Sequence, residues 1–122
     1  MRVIQMTPSP IKDPITFADF EKLDIRVGTI IAVSEVEKSD KLMKLTVDLG
    51  DHTRTILAGI KREREDPFEI EGKQALFIVN LPSRKMAGEI SEGMLFDIGF
   101  EDNQTPRLLV PESPIPNGCR AG

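Results

Sequence analysis

From Ile25 to Leu49 the apolar positions fall at every second residue. Ile25, Val27, Thr29, Ile31 and Val33 line one face of a first strand, with Arg26 and Gly28 on the other. Met43, Leu45, Val47 and Leu49 alternate with Lys44, Thr46 and Asp48, the pattern of a half-buried second strand. Gly50 to Thr53 turns the chain into a third strand, 54–58, and Gln74 to Val79 is a short apolar run suited to a buried fourth. Met94, Phe96, Ile98 and Phe100 alternate with Leu95, Asp97 and Gly99, and 107–110 reads as a last short strand paired back across the 101–106 loop. Upstream the period is helical instead. Thr16 and Asp19 resemble a capping box ahead of Phe17, Phe20 and Leu23, so a short helix is expected over 17–23.

Pro8, Pro10 and Pro14 keep the first fifteen residues out of regular structure, and residues 1–15 read as an N-terminal arm. Its Val3, Ile4, Met6, Ile11 and Ile15 give it apolar material to pack with. A second arm closes the chain, carrying Pro111, Pro114 and Pro116. Five or six short strands with about one helix argue an all-β barrel or sandwich. A charged insertion, 59–73, separates the third strand from the fourth. A five-stranded Greek-key barrel with an element at that place is the OB-fold arrangement, one of several small barrels that the pattern allows.

The 122 residues suit one domain, 16–122, beside the arm. The apolar runs are far too short for a bilayer-spanning helix, and the prolines interrupt the start before a secretory apolar segment develops. A single cysteine, Cys119, suits a reducing compartment, so a cytoplasmic protein without membrane contact is expected. The formal net charge of −4 counts against nucleic-acid binding unless the basic residues form a local patch. From Arg54 to Lys85 there are seven basic residues and five acids, whereas Met86 to Asn103 holds five acids and no base. Such segregation permits a one-sided patch.

Enzyme chemistry finds no foothold. One His and one Cys make no metal-ligand pair, the glycines form no phosphate loop, and His52 reads as an exposed turn residue. A non-catalytic binding module with no cofactor is expected.

Four segments in register carry a resemblance. They are Leu23-Asp24-Ile25-Arg26-Val27-Gly28, Ser39-Asp40-Lys41-Leu42, the run from Arg54 to Ile60, and Asn80-Leu81 followed by Lys85-Met86-Ala87-Gly88 and Ser91-Glu92-Gly93-Met94-Leu95. In that order and spacing the chain resembles the tRNA-binding domain family. That family includes the C-terminal appendage of bacterial methionyl-tRNA synthetase, free-standing tRNA-binding proteins and CsaA-type secretion chaperones. The closing Leu108-Leu109-Val110-Pro111 and Pro116-Asn117-Gly118 look most like the CsaA type. The resemblance implies an OB fold, a homodimer and tRNA as partner. It also implies an alternative, a chaperone for unfolded or export-destined polypeptides.

Candidate RNA-binding residues follow from both sources. The stretch from Asn80 to Met94 is a long connection with no regular period, the kind of segment that carries function. Arg84 and Lys85 place two adjacent positive charges in it, and Asn80 either meets a base edge or ribose or holds the loop. Lys41 meets phosphate or pairs with a neighbouring acid. The resemblance implies a phosphate contact for Arg54 and associates Ser91 and Met94 with tRNA, although the alternation of Met94 with Phe96 also fits plain core. Six Phe and no Trp or Tyr leave few stacking platforms, so binding through shape and phosphates is expected.

Overall fold

A computed structural model describes residues 5–122. Part of the expected arm, with Val3 and Ile4, lies outside the described residues. The rest of the arm runs without regular structure to Thr16, whose hydroxyl accepts from the Asp19 amide at 3.1 Å and starts helix α1 (Phe17–Glu21). The Asp19 carboxylate turns to Lys22 Nζ at 3.0 Å. None of the five helical residues is buried, so α1 adds no side chain to the core.

That sheet is built around β1 (Ile25–Glu35), which pairs antiparallel with β2 (Met43–Asp48) and with β4 (Gln74–Ile78). β2 continues to β3 (Thr53–Ala58), and β4 pairs with β7 (Met94–Leu95), giving the spatial order β3-β2-β1-β4-β7. This curled five-strand path with one short helix is the expected small OB-like all-β fold. Between β4 and β7 lies a separate hairpin of β5 (Arg84–Met86) and β6 (Glu89–Ser91). Past β7, β8 (Asp97–Ile98) pairs with β9 (Arg107–Leu108), and β10 (Arg120–Ala121) adds to the start of β1. The C-terminal arm is thus tied down: Asn117 Oδ1 accepts from Thr29 Oγ1 and Gln74 Nε2, each at 2.9 Å.

The core holds Met43, Leu45, Val47 and Leu49 from β2, with Ile56, Ile70 and Phe77 packed against them. β2 therefore buries the face its alternation predicts. β1 does not. Its register with β2 skips between Ile30 and Ala32, so Ile30 is fully buried while Ile31, expected inward, is about half exposed (48%). The bulge inserts one residue and reverses the phase of the strand beyond it. Its neighbouring backbone groups are taken up by the insertion between β3 and β4. Gly72 N donates to Ile30 O (2.7 Å), Ile30 N to Lys73 O (2.9 Å), and Val33 N to Glu71 Oε2 (2.9 Å). The same insertion contains a 3-10 turn, Pro67–Ile70, capped by Asp66, and it drives the fully buried Ile70 into the core. The insertion therefore acts as a plug.

The first segment of the family pattern is structural. Arg26 donates to both carboxylate oxygens of Asp24, at 2.9 and 3.0 Å. The Arg26 hydrogen bond, helped by Arg120, holds the Asp24 carboxyl below its ordinary range. Gly28 allows β2 to approach: a Cβ there would lie 2.5 Å from Val47 Cγ1 and 3.1 Å from Asp48 O. Gly28→Ala is expected to destabilise the fold by about 1–3 kcal/mol through overpacking, read from the urea midpoint. An unchanged midpoint would show that β2 relaxes freely and that the close approach constrains nothing.

Candidate nucleic-acid interface

The sheet's two ends, β3 and β7, come back toward each other, and among the described residues no strand ladder joins them. β3 instead meets residues 91–92, at the junction of β6 and β7. Leu57 N donates to the Ser91 hydroxyl at 3.0 Å, Thr55 N to Glu92 Oε1 at 2.9 Å, and Glu92 N to Thr55 O at 2.8 Å. The Ser91 hydroxyl in turn donates to Gly93 O at 3.0 Å, and the residue is buried, 3% exposed. Arg54 crosses the same seam. Its Nη1 donates to Val79 O (2.6 Å) and Glu92 O (3.0 Å), and its Nε donates to His52 Nε2 (3.1 Å). Asn80 anchors the far side, accepting from Asp24 N at 2.9 Å and donating to Lys22 O at 2.5 Å. Ser91, Arg54 and Asn80 therefore share one role in this structure: they fix the segment that follows β4 onto the barrel.

What they fix is the β5–β6 hairpin. The stretch expected to have no regular period contains a two-residue turn, Ala87-Gly88, with φ of 49° and 83°. Both central residues in the left-handed region give the twist that short hairpins need. The sequence signal was the Ala-Gly pair between short alternating runs, and it is weak because Asn-Gly is the usual pair. Arg84 and Lys85 stand exposed on β5. Neither has a carboxylate within ion-pair distance among the described residues. Lys38, which sequence reasoning passed over, lies against the turn, its Cδ 3.8 Å from where a Cβ on Gly88 would sit. Between the hairpin and the β2–β3 face runs a cleft of about 520 Å³ lined by Lys44, Thr55, Ser83, Glu89, Ile90 and Glu92.

Lys41 is exposed on the tight turn ahead of β2, held by Ser39, whose hydroxyl accepts from the amides of Lys41 and Leu42 at 3.2 and 3.0 Å. Its neighbour Asp40 pairs with Arg62, not with Lys41. The insertion's basic run is similarly spent: Lys61 reaches Glu35 at 3.7 Å, and Arg64 reaches Glu69 at 2.5 Å. Met94 is 43% exposed while Leu95 is buried, so the phase at β7 is opposite to the one that put Met94 in the core.

A larger cleft, about 700 Å³, lies elsewhere, at the end of β3. Its lining includes Leu57, Ile60, Met94, Phe100 and Leu109 with the carboxylates of Glu63 and Asp97. Burial pushes both carboxyls above their ordinary values, and for Glu63 the charge of Asp97 adds to it. Among the described residues no group of His, Cys, Asp or Glu is arranged to hold a metal ion, and no helix is long and apolar enough to cross a membrane.

Comparison with known proteins gives consistent neighbours. The family described as "Putative tRNA binding domain" matches residues 25–120. The methionine–tRNA ligase of Porphyromonas gingivalis strain W83 is 43% identical over 112 residues, covering 92% of this chain and 16% of the ligase. That of Methanococcoides burtonii is 47% identical over 102 residues, covering 83% of this chain and 15% of the ligase. The chain thus spans about one sixth of the curated relatives it matches. Among solved structures, a methionyl-tRNA-synthetase-related protein from Pyrococcus horikoshii superposes with a TM-score of 0.83 at 33% identity, over 91% of this chain and all of that one. The chaperone CsaA of Bacillus anthracis strain Ames gives 0.79 at 29%, over 90% of this chain and all of CsaA.

Ser91→Ala would leave the Leu57 amide buried without its acceptor. The expected cost is about 1–3 kcal/mol, with faster hydrogen exchange at Leu57. Unchanged stability and exchange would mean that the seam closes without the hydroxyl.

Proposed function

The chain belongs to the tRNA-binding domain family, and on that footing we propose that it binds folded tRNA as a homodimer, without catalysis, through phosphate and shape contacts. In this reading residues 16–122 are the binding domain and residues 1–15 an arm. Lys41, Arg84, Lys85 and Met94 meet the RNA: three cations for phosphates and a polarizable thioether for a base or sugar face. Arg54, Asn80 and Ser91 serve the site by holding the hairpin that presents Arg84 and Lys85.

The observation that carries this reading is where the unpaired positive charge lies. In the insertion Lys61, Arg62 and Arg64 are each paired with a carboxylate, Glu35, Asp40 and Glu69, whereas Arg84 and Lys85 project from the hairpin without an acidic partner among the described residues. An acidic protein that leaves these cations uncompensated on a held hairpin has a surface suited to a polyanion. The exposed apolar groups of the arm and helix, Ile11, Ile15, Phe17 and Phe20, support a second copy as their cover. Two hairpins would then face one folded RNA and raise its apparent affinity.

A second reading has its own observation. The larger cleft combines an apolar lining with Glu63 and Asp97, and suits an extended segment carrying apolar and basic side chains. Similarity to CsaA supports a polypeptide ligand there.

One titration tests both readings. Wild-type protein and an Arg84→Ala/Lys85→Ala variant are titrated with bulk folded tRNA at about 50 and 200 mM salt, beside a fluorescent unfolded polypeptide. The expected result is salt-steep tRNA binding by a particle with the mass of two chains in light scattering. The variant is expected to lose about tenfold or more in affinity at low salt, with a log–log salt slope smaller by about 1–2. An unchanged slope would remove the hairpin from the site, and polypeptide binding with no RNA signal would move the function to the larger cleft. A mass of one chain would overturn the dimer.

A further inference from the structure

Around the proposed RNA surface one cation is not available as it stands. Lys44 projects from β2 into the cleft beside the hairpin, and its Nζ lies 2.9 Å from Glu89 Oε1, the first residue of β6. Both side chains keep about a third of their surface exposed (36% and 33%), so water reaches the pair. Lys38 beside the hairpin, and Arg84 and Lys85 on it, have no such partner among the described residues. An acid placed on the hairpin, aimed at the cleft's own lysine, is out of keeping with a surface built to attract phosphate, unless the pair is meant to open.

We propose that Glu89 is an internal stand-in for phosphate: it occupies Lys44 in the free protein, and the RNA backbone displaces it. The proposal rests on the tRNA reading above. A solvent-reached pair of this kind is weak enough to exchange. A phosphate offers Lys44 a charge equal to the one it gives up, so the exchange alone gains little. It becomes favourable when Lys38, Arg84 and Lys85 bind neighbouring phosphates of the same strand and hold one beside Lys44 at high effective concentration. An isolated anion has no such help. Glu89 thereby favours a polymer with correctly spaced phosphates over scattered anions, and sets specificity without touching a base.

The test is tRNA titration across a salt series with Glu89→Gln, Lys44→Gln and Lys44→Arg, each first checked for wild-type thermal melting. Glu89→Gln removes the competitor and is expected to tighten binding about 3–10-fold at low salt with the slope unchanged, since Lys44 already meets phosphate in the wild-type complex. Lys44→Gln is expected to weaken binding and reduce the log–log slope by about one contact, and Lys44→Arg to retain the slope. A steeper slope in Glu89→Gln would overturn the proposal, because Lys44 would then reach RNA only once freed by mutation. So would an unchanged slope in Lys44→Gln or unchanged affinity in Glu89→Gln. If wild-type binding is present and falls with Arg84→Ala/Lys85→Ala while these results fail, only the stand-in is wrong. Absence of tRNA binding by every variant overturns both the stand-in and the RNA reading.

Discussion

The constraint on which the rest of the molecule depends is the unladdered seam of its curled sheet. β3 faces the junction of β6 and β7 with backbone groups that cannot be left unpaired in a buried place. Ser91 and Glu92 satisfy them by side chain and backbone together, and Arg54 adds a guanidinium across the carbonyls of Val79 and Glu92. Closure by side chains frees the backbone just upstream to leave the barrel as a separate hairpin. The device that completes the fold is therefore also the one that places the basic strand β5.

A division of labour follows. Residues with hydroxyl, amide or guanidinium groups at the seam are consumed internally, while the flexible cations beyond it stay in water. The overall acidic balance fits this arrangement, because most lysines and arginines of the insertion are cancelled by close carboxylates. Net charge describes the whole surface, whereas a polyanion would sense the few charges left uncompensated within a Debye length.

How much of this was legible in the sequence varied with the physics of each segment. β2 was readable residue by residue, because one face is buried and the other is not. β1 was readable as a strand but not in phase, since a bulge is a tertiary event supported by Glu71, Gly72 and Lys73 far along the chain. At β7 the choice between Met94 and Leu95 as the inward residue depended on a register that two residues cannot specify. The hairpin was visible only as an aperiodic stretch. Lys41, Arg84 and Lys85, candidates in the sequence, lie exposed, but sequence spacing could not tell that the side chains of Asn80 and Ser91 would be taken up by backbone groups of the fold, because their partners lie 56 and 34 residues away. Lys38 and Lys44 were missed for the same reason: only the fold brings the hairpin beside them.

The two-residue turn at Ala87-Gly88 carries a consequence for how such a surface can diversify. The hairpin's base is fixed by the seam and its tip by a turn that admits no slack, so the finger changes length only by whole cross-strand pairs. Side chains in a strand alternate faces, so adding one pair exchanges the outward and inward sets at the tip, and adding two restores them. Related fingers that keep their charges facing the same way should therefore differ in length by steps of four residues. Changes in reach are quantised, while changes in charge at a given length are not.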